Sequence, residues 1–224
     1  MARILFALTS YFKDEKGWES GCNLLEIAGP YFYLIKNGVD IDFVSPKGGK
    51  IPAKQLDLDH PKVKCFFKNK DAMEKFYNSY HPNDIKAENY DAIYFPGGHG
   101  VMFDLPINKE IAKIAADIYE KQGVVCAVCH GGAGLLNVIL SDGKYLVEGK
   151  NLTSFSNNEE RSIGTDVKVP FLLETELVKR GAKYSCKANW QEYVIADGRL
   201  ITGQNPASDM LMSKELVKIL KTKI

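Results

Sequence analysis

The chain has 224 residues, of which 29 are basic and 28 acidic, giving a formal net charge of +1, with 45% hydrophobic and 25% charged side chains. At about 100 to 200 residues per domain this makes one large domain, or one domain with an insertion, and argues against two full domains. The near-neutral balance speaks against a nucleic-acid or membrane-surface protein, and the composition is far from disordered or fibrous classes.

The apolar run within Met1 to Ser10 is too short for a signal peptide or a spanning helix, and no later stretch approaches about 18 uninterrupted apolar residues. Five cysteines (Cys22, Cys65, Cys126, Cys129 and Cys186) are odd in number and scattered, which predicts reduced thiols in a cytoplasmic protein and no disulfide framework.

In chain order, Arg3 to Leu8 and Val39 to Val44 are short apolar runs that flank an amphipathic segment, Gly21 to Asn37. This reads as strand, helix, strand, with Pro30 expected to kink or break the helix and Asn37-Gly38 to end it. The stretch 46–89 is rich in Lys and Asp and carries Phe66, Phe67, Phe76, Tyr77 and Tyr80. A connection this long is rarely plain loop, so it is expected to form a small inserted cap leaning over the sheet edge, helical around Lys70 to Ser79. Asp91 to Phe95 is a third strand, Ile107 to Gln122 a helix, and Val124 to Val128 a fourth strand. A helix from Leu135 to Leu140, an extended piece at Asn151 to Ser156, a helix from Pro170 to Arg180, strands at Tyr193 to Ala196 and Leu200 to Thr202, and a helix from Asp209 complete the reading. The alternation predicts a mainly parallel sheet with helices on both faces.

Ligands of such sheets bind beyond the carboxyl ends of the strands. The third strand ends in Pro96-Gly97-Gly98-His99-Gly100, whose N–H groups suit an anion or oxyanion. The fourth ends in Cys129-His130-Gly131-Gly132, the layout of a nucleophile elbow, where small neighbours permit a sharp reversal and the nucleophile often takes a strained backbone. A helix N-terminus there is expected to lower the Cys129 thiol pKa. The plainer alternative is a packing cysteine. Cys126 and Cys129 formally match CxxC, but strand alternation is expected to send them to opposite faces, and no second CxxC or His pair completes a metal set, so no metal site is expected.

His130 follows the nucleophile and can orient a thiolate or move a proton; His99 either lines the site or caps the glycine turn; His60 and His81 read as solvated loop residues. Glu26 is the single acidic residue in Leu24-Leu25-Glu26-Ile27-Ala28, and a carboxylate buried there is costly unless protonated or given a donor. Glu159 and Glu160 are the second pair of candidates, with Glu159 the stronger case for a solvated helix-start carboxylate.

These residues, with Phe43-Val44-Ser45-Pro46, Leu152-Thr153-Ser154-Phe155-Ser156 and Asp197 through Ser208, resemble the ThiJ/PfpI superfamily, specifically its branch of heat-inducible chaperones and glutathione-independent glyoxalases (glyoxalase III). The matching segments span nearly the whole chain in order. The resemblance implies a flavodoxin-like α/β three-layer sandwich, Cys129 as nucleophile, Glu26 as the acid beside its thiol, His130 as the adjacent histidine and Glu160 as the third triad member, chosen over Glu159 by its offset from Gly164. It implies an oxyanion pocket from the N–H groups of Gly98 and His130, a small dicarbonyl substrate, no cofactor, and a homodimer. The implied reaction turns methylglyoxal into D-lactate, with the aromatics of 46–89 excluding water. A holdase chaperone, a cysteine oxidation sensor, a cysteine hydrolase and a glycation-repair enzyme are the rival readings.

Overall fold

The computed structural model describes residues 1–52 and 59–222. Its strands are β1 (Arg3–Ala7), β2 (Asp40–Val44), β3 (Ala92–Phe95), β4 (Val124–Val128), β5 (Asn151–Leu152), β6 (Lys183–Tyr184), β7 (Val194–Asp197) and β8 (Leu200–Gly203). Six form one sheet in the order β2-β1-β3-β4-β8-β7, parallel except for β7, which runs antiparallel to β8; β5 and β6 pair separately. Every residue of β3, β4 and β8 is buried, because a parallel sheet covered on both faces has no solvated side to supply alternation. Successive residues still go to different layers. Ile4, Phe6, Tyr94 and Cys126 join one core cluster, and Leu5, Ala7, Ile93, Phe95 and Val125 the other.

The helices are α1 (Leu24–Lys36), α2 (Pro61–Lys68), α3 (Lys70–Tyr77), α4 (Val101–Asp104), α5 (Lys109–Glu120), α6 (Asn157–Ser162), α7 (Leu173–Lys179) and α8 (Asp209–Thr222). α1 and α8 pack together on one face, and α5 covers β3 and β4 on the other. This is the expected flavodoxin-like three-layer sandwich. α1 runs through Pro30 without the expected break. An interior proline costs about 3 kcal/mol. Here the buried face of Leu24, Ile27, Ala28, Tyr31 and Leu34 outweighs it.

Two other expectations are corrected. The helix expected over Leu135 to Leu140 lies earlier and is a 3-10 helix, Cys129–Leu135, followed by a bridge between Ile139 and Tyr145. The backbone there packs closely on the end of β3: a Cβ on Gly131 would lie 2.0 Å from the Phe95 carbonyl oxygen. In the 46–89 segment, of which 53–58 lie outside the described residues, α3 falls where a helix was expected. Its aromatics do not face the nucleophile, however. Phe66 and Phe76 are buried against Phe43, and Phe66 also meets Tyr31, so α2 and α3 extend the core past β2. Tyr77 and Tyr80 are exposed.

β1 connects through α1 to β2 on one side, while β3 lies on its other side, so the sheet's topological switch falls between β1 and β3. The loops after β1, β3 and β4 meet there.

Candidate active site

Cys129 directly follows β4 and has φ of +57°, an uncommon backbone for a residue with a Cβ. The elbow expected from the sequence is therefore present, and such a conformation costs about 1–3 kcal/mol that the surroundings must offset. They do so at the Cys129 carbonyl, which accepts the Ser154 hydroxyl at 2.7 Å and the Phe155 N–H at 3.3 Å. The reversal turns the side chain into the cluster that also holds Cys126, so the two thiols do not point to opposite faces. Period-two alternation ends with Val128. Both cysteines are buried and free.

Glu26, in the first turn of α1, is fully buried and hydrogen-bonds the Cys129 thiol. Its Oε2 accepts the Gly97 N–H at 2.7 Å and its Oε1 accepts Asn23 Nδ2 at 2.7 Å. Asn23 is also the N-cap of α1, its Oδ1 accepting the Leu25 N–H at 3.0 Å, so helix start and carboxyl position are set together. Burial pushes the Glu26 carboxyl up to about 8, against the lowering pull of its hydrogen bonds with Gly97, Cys129 and Asn23. Glu26 thus holds a proton at neutral pH.

The Cys129 thiol is pushed well above its ordinary value, first by burial and then by the Glu26 charge; the backbone N–H of His130, which bonds the sulfur, pulls the other way. This corrects the lowered pKa expected for a helix N-terminus. Only a short 3-10 turn begins at Cys129, and desolvation of a side chain 2% exposed exceeds what its dipole offers.

His130 is buried, with Nδ1 3.3 Å from Cys129 Sγ and Nε2 2.7 Å from Glu160 Oε2. Burial lowers its pKa to about 4, His99 adding to the effect. Burial would raise Glu160, yet its hydrogen bonds with His130, His99 and Thr165 hold it below the usual carboxylate range. A neutral ring beside an ionised carboxylate carries its proton on Nε2, donated to Glu160, and leaves the Nδ1 lone pair facing the thiol. That is the order of a nucleophile, base and orienting acid. Glu160 also takes His99 Nε2 at 3.0 Å on Oε1, where Thr165 donates its hydroxyl too.

Gly97 lies against the elbow and Gly98 against the β1–α1 loop. A Cβ on Gly97 would fall 2.8 Å from Cys129 Cβ and 2.9 Å from the His130 nitrogen. Gly98, at φ +102°, would place a Cβ 2.3 Å from the Gly21 carbonyl oxygen. The remaining walls are aromatic. Phe155 packs tilted against His130 at 4.2 Å, Trp190 leans on Phe155 at 5.7 Å, and Trp18 meets His99 edge-on at 5.3 Å.

The structure therefore brings Cys129, His130, Glu26, Glu160, Gly98 and His99 together. Glu159, read as the better case for a solvated carboxylate, is fully buried: it closes a capping box with Ser156 and accepts the Trp190 N–H at 2.9 Å and Asn205 Nδ2 at 2.8 Å. His60 and His81 lie elsewhere, each capping a short helix through Nδ1. Sequence reasoning placed Gly97 in the anion-facing turn, where its N–H donates to Glu26, but missed Asn23, Thr165, Trp18 and Trp190. Asn23 had a readable signal as an N-cap three residues before Glu26; the others reach the site through long-range contacts.

The sequence model described as the DJ-1/PfpI family matches residues 18–219. The glutathione-independent glyoxalase HSP31 of Saccharomyces cerevisiae is 37% identical, the match covering 92% of each chain. Among solved structures, the Rapid Encystment Protein 24 kDa of Francisella tularensis superposes with a TM-score of 0.92 at 38% identity, over 97% of this chain and 98% of that one. Glyoxalase III from Candida albicans does so with a TM-score of 0.87 at 29% identity, over 97% and 96%. No helix among the described residues is long and apolar enough to cross a membrane.

Proposed function

The chain belongs to the DJ-1/PfpI family, and we propose that it is a glutathione-independent glyoxalase that converts methylglyoxal to D-lactate, a lyase reaction within reactive-carbonyl defence. The observation that carries this is the contact of one thiol, Cys129, with two proton-transfer groups of different character, the neutral carboxyl of Glu26 and the Nδ1 lone pair of His130. The similarity to proteins named glyoxalases supports the choice of substrate. The reaction exchanges oxidation state between two carbons of one molecule and requires proton transfers alone, so the proposal invokes no cofactor.

In this reading Cys129 Sγ bonds to the aldehyde carbon, its proton passes to His130 Nδ1, and Glu26 gives its proton to the aldehyde oxygen. Glu26, now a carboxylate, takes the proton from C1, while His130 gives its proton to the C2 oxygen, forming an enediol bound to sulfur. Glu26 then returns a proton to C2 and His130 takes the C1 hydroxyl proton, leaving a lactoyl thioester. Water adds to C1 and gives its proton to Glu26; the C–S bond breaks and His130 reprotonates Sγ. Both residues end as they began, and lactic acid leaves. The N–H groups of Gly98 and His130 are proposed to meet negative charge on the substrate oxygen. Glu160 keeps His130 in the tautomer that accepts from sulfur.

A cytoplasmic location, expected from the odd and scattered cysteines, and a homodimer, implied by the family resemblance, complete the proposal. An oxidation sensor is disfavoured by a thiol 2% exposed and raised in pKa, the opposite of a low-pKa accessible cysteine. The test is D-lactate production from methylglyoxal without glutathione. Native protein should make it, and Cys129→Ala and Glu26→Gln should not; a folded native protein that makes none ends the reading.

A further inference from the structure

The polar edge of the site carries a second arrangement that acid–base chemistry does not require. His99 Nε2, His130 Nε2 and the Glu160 carboxylate, which come from the loop after β3, the 3-10 helix after β4 and α6, offer ligand atoms that all lie within 4.8 Å of one another. Two imidazole nitrogens and one carboxylate oxygen suit a borderline divalent ion at 2.0–2.2 Å, and three protein ligands plus one open position are the coordination of an accessible zinc site. The present spacings of 3.0 Å from His99 and 2.7 Å from His130 to Glu160 are hydrogen bonds. Admitting an ion requires only that the rings and carboxylate part slightly. The His99 side chain is 21% exposed, so its edge gives the ion a path from solvent. Thr165, which donates its hydroxyl to Glu160, would orient that ligand from outside.

We propose that His99, His130 and Glu160 form a binding site for a divalent ion of the zinc class, and that occupancy switches off the Cys129 chemistry. The second half rests on the function proposed above. Its logic is tautomeric. When the Nε2 lone pair of His130 binds the ion, the neutral ring carries its proton on Nδ1. That nitrogen is 3.3 Å from Cys129 Sγ and can then no longer accept the thiol proton. No proton is lost from the ring and no bond to sulfur is needed. Three residues separated by 31 and 30 positions give no ligand-spacing signal, which is why no metal set was expected from the chain.

Titration of the purified protein with Co²⁺, followed by its visible absorption and by calorimetry, tests the site, with Zn²⁺ added as competitor. The expected result is one ion per chain in a four- or five-coordinate N/O environment, displaced by Zn²⁺. Affinity should fall at least about tenfold in His99→Ala and in Glu160→Gln, remain in Cys129→Ala, and remain in the His60→Gln/His81→Gln double variant. His99 is partly exposed, so its variant should keep the fold. Unchanged affinity in both His99→Ala and Glu160→Gln, or a thiolate charge-transfer band that vanishes in Cys129→Ala, overturns the site. Methylglyoxal turnover should be inhibited by Zn²⁺ and restored by a chelator; full turnover at saturating Zn²⁺ overturns the switch. A native protein without glyoxalase activity would end the function proposed above, while the Co²⁺ titration would still decide the site.

Discussion

Glu159 and Glu160 are chain neighbours at the start of α6, both buried, and their carboxylates enter different networks. Glu160 faces His130 and His99, whereas Glu159 holds Ser156, Trp190 and Asn205. The two isosteric substitutions should therefore separate. Glu160→Gln can place its amide against the His130 ring and favour the wrong tautomer, so kcat/KM should fall by about 10²–10⁴-fold with a small change in Tm. Glu159→Gln sets an amide against N–H donors inside the core and should cost about 1–3 kcal/mol, or several degrees in Tm, with the surviving folded protein still active. Paired assays of turnover and thermal melting check this. Loss of turnover in Glu159→Gln with no loss of Tm would reverse the assignment.

The proton on Glu26 sets the alkaline limit of the proposed reaction. The mechanism starts with Glu26 neutral and His130 neutral, and these groups titrate at about 8 and about 4. The pH profile of kcat/KM, which reports the free enzyme, should be level between these values and fall above the upper one. A rate that keeps rising through pH 8 would mean that the reactive form has Glu26 ionised.

The same group makes stability depend on pH. Glu26 binds its proton more tightly folded than unfolded, so the native state holds more protons from the unfolded carboxyl value up to about 8, and stability declines as pH rises across that window. His130 acts oppositely between about 4 and its ordinary value of 6.5, where the unfolded chain binds the extra proton. It therefore offsets part of the decline, together with that from Asp104 and Asp209, both raised by burial to about 6. Between pH 6.5 and 8 Glu26 dominates. Denaturant midpoints should drop over that interval; a rise would contradict a buried, neutral Glu26.

Much of this was legible from local pattern. The strand and helix alternation follows from apolar runs, Cys129 from a lone nucleophile at the head of a glycine turn, and Glu26 from being the one acid in an apolar stretch. What could not be read depends on contacts distant in sequence or on where a pattern stops. Period two was extended one residue past the end of β4, which put Cys126 and Cys129 on different faces although the positive φ at Cys129 returns them to one cluster. The fate of Glu159 is decided by Trp190 and Asn205, at least 30 residues away. The aromatics of α2 and α3 were assigned to the site because composition cannot tell which neighbour covers them; they pack instead on Tyr31 and Phe43.

Gly98 is where the loop after β3 and the β1–α1 loop touch. An alanine there would face both a left-handed φ of +102° and backbone atoms of Gly21, Cys22 and Asn23 within 2.7 Å. Backbone cannot swing aside as a flexible side chain can, so the Gly21–Asn23 segment must shift, and Asn23 would carry Glu26 with it. Gly98→Ala should destabilise by about 2 kcal/mol or more and also depress turnover of the fraction that folds. Denaturant unfolding and active-site titration of Cys129 check it; near-native stability would show that the loop has slack these contacts do not suggest.

Trp190 stands at the outer side of the aromatic wall, one ring removed from His130. It is 47% exposed, has φ of +67°, and rests on Phe155, which in turn packs against His130. Its backbone N–H is held by Glu159, so the loop that carries the ring is anchored from its buried side. In the proposed reaction an outer wall of this kind would meet the substrate's substituent and leave the reacting carbons to Cys129 and Glu26. Trp190→Ala should therefore raise KM about three- to tenfold for dicarbonyls with an alkyl or aryl group, since an apolar contact of one or a few carbons is worth about 1 kcal/mol each. For glyoxal, which has no such group, KM should barely change, and kcat should stay within about twofold for both classes. Steady-state kinetics on the substrate series decide this; an equal loss of kcat for every substrate would place Trp190 instead in the positioning of His130.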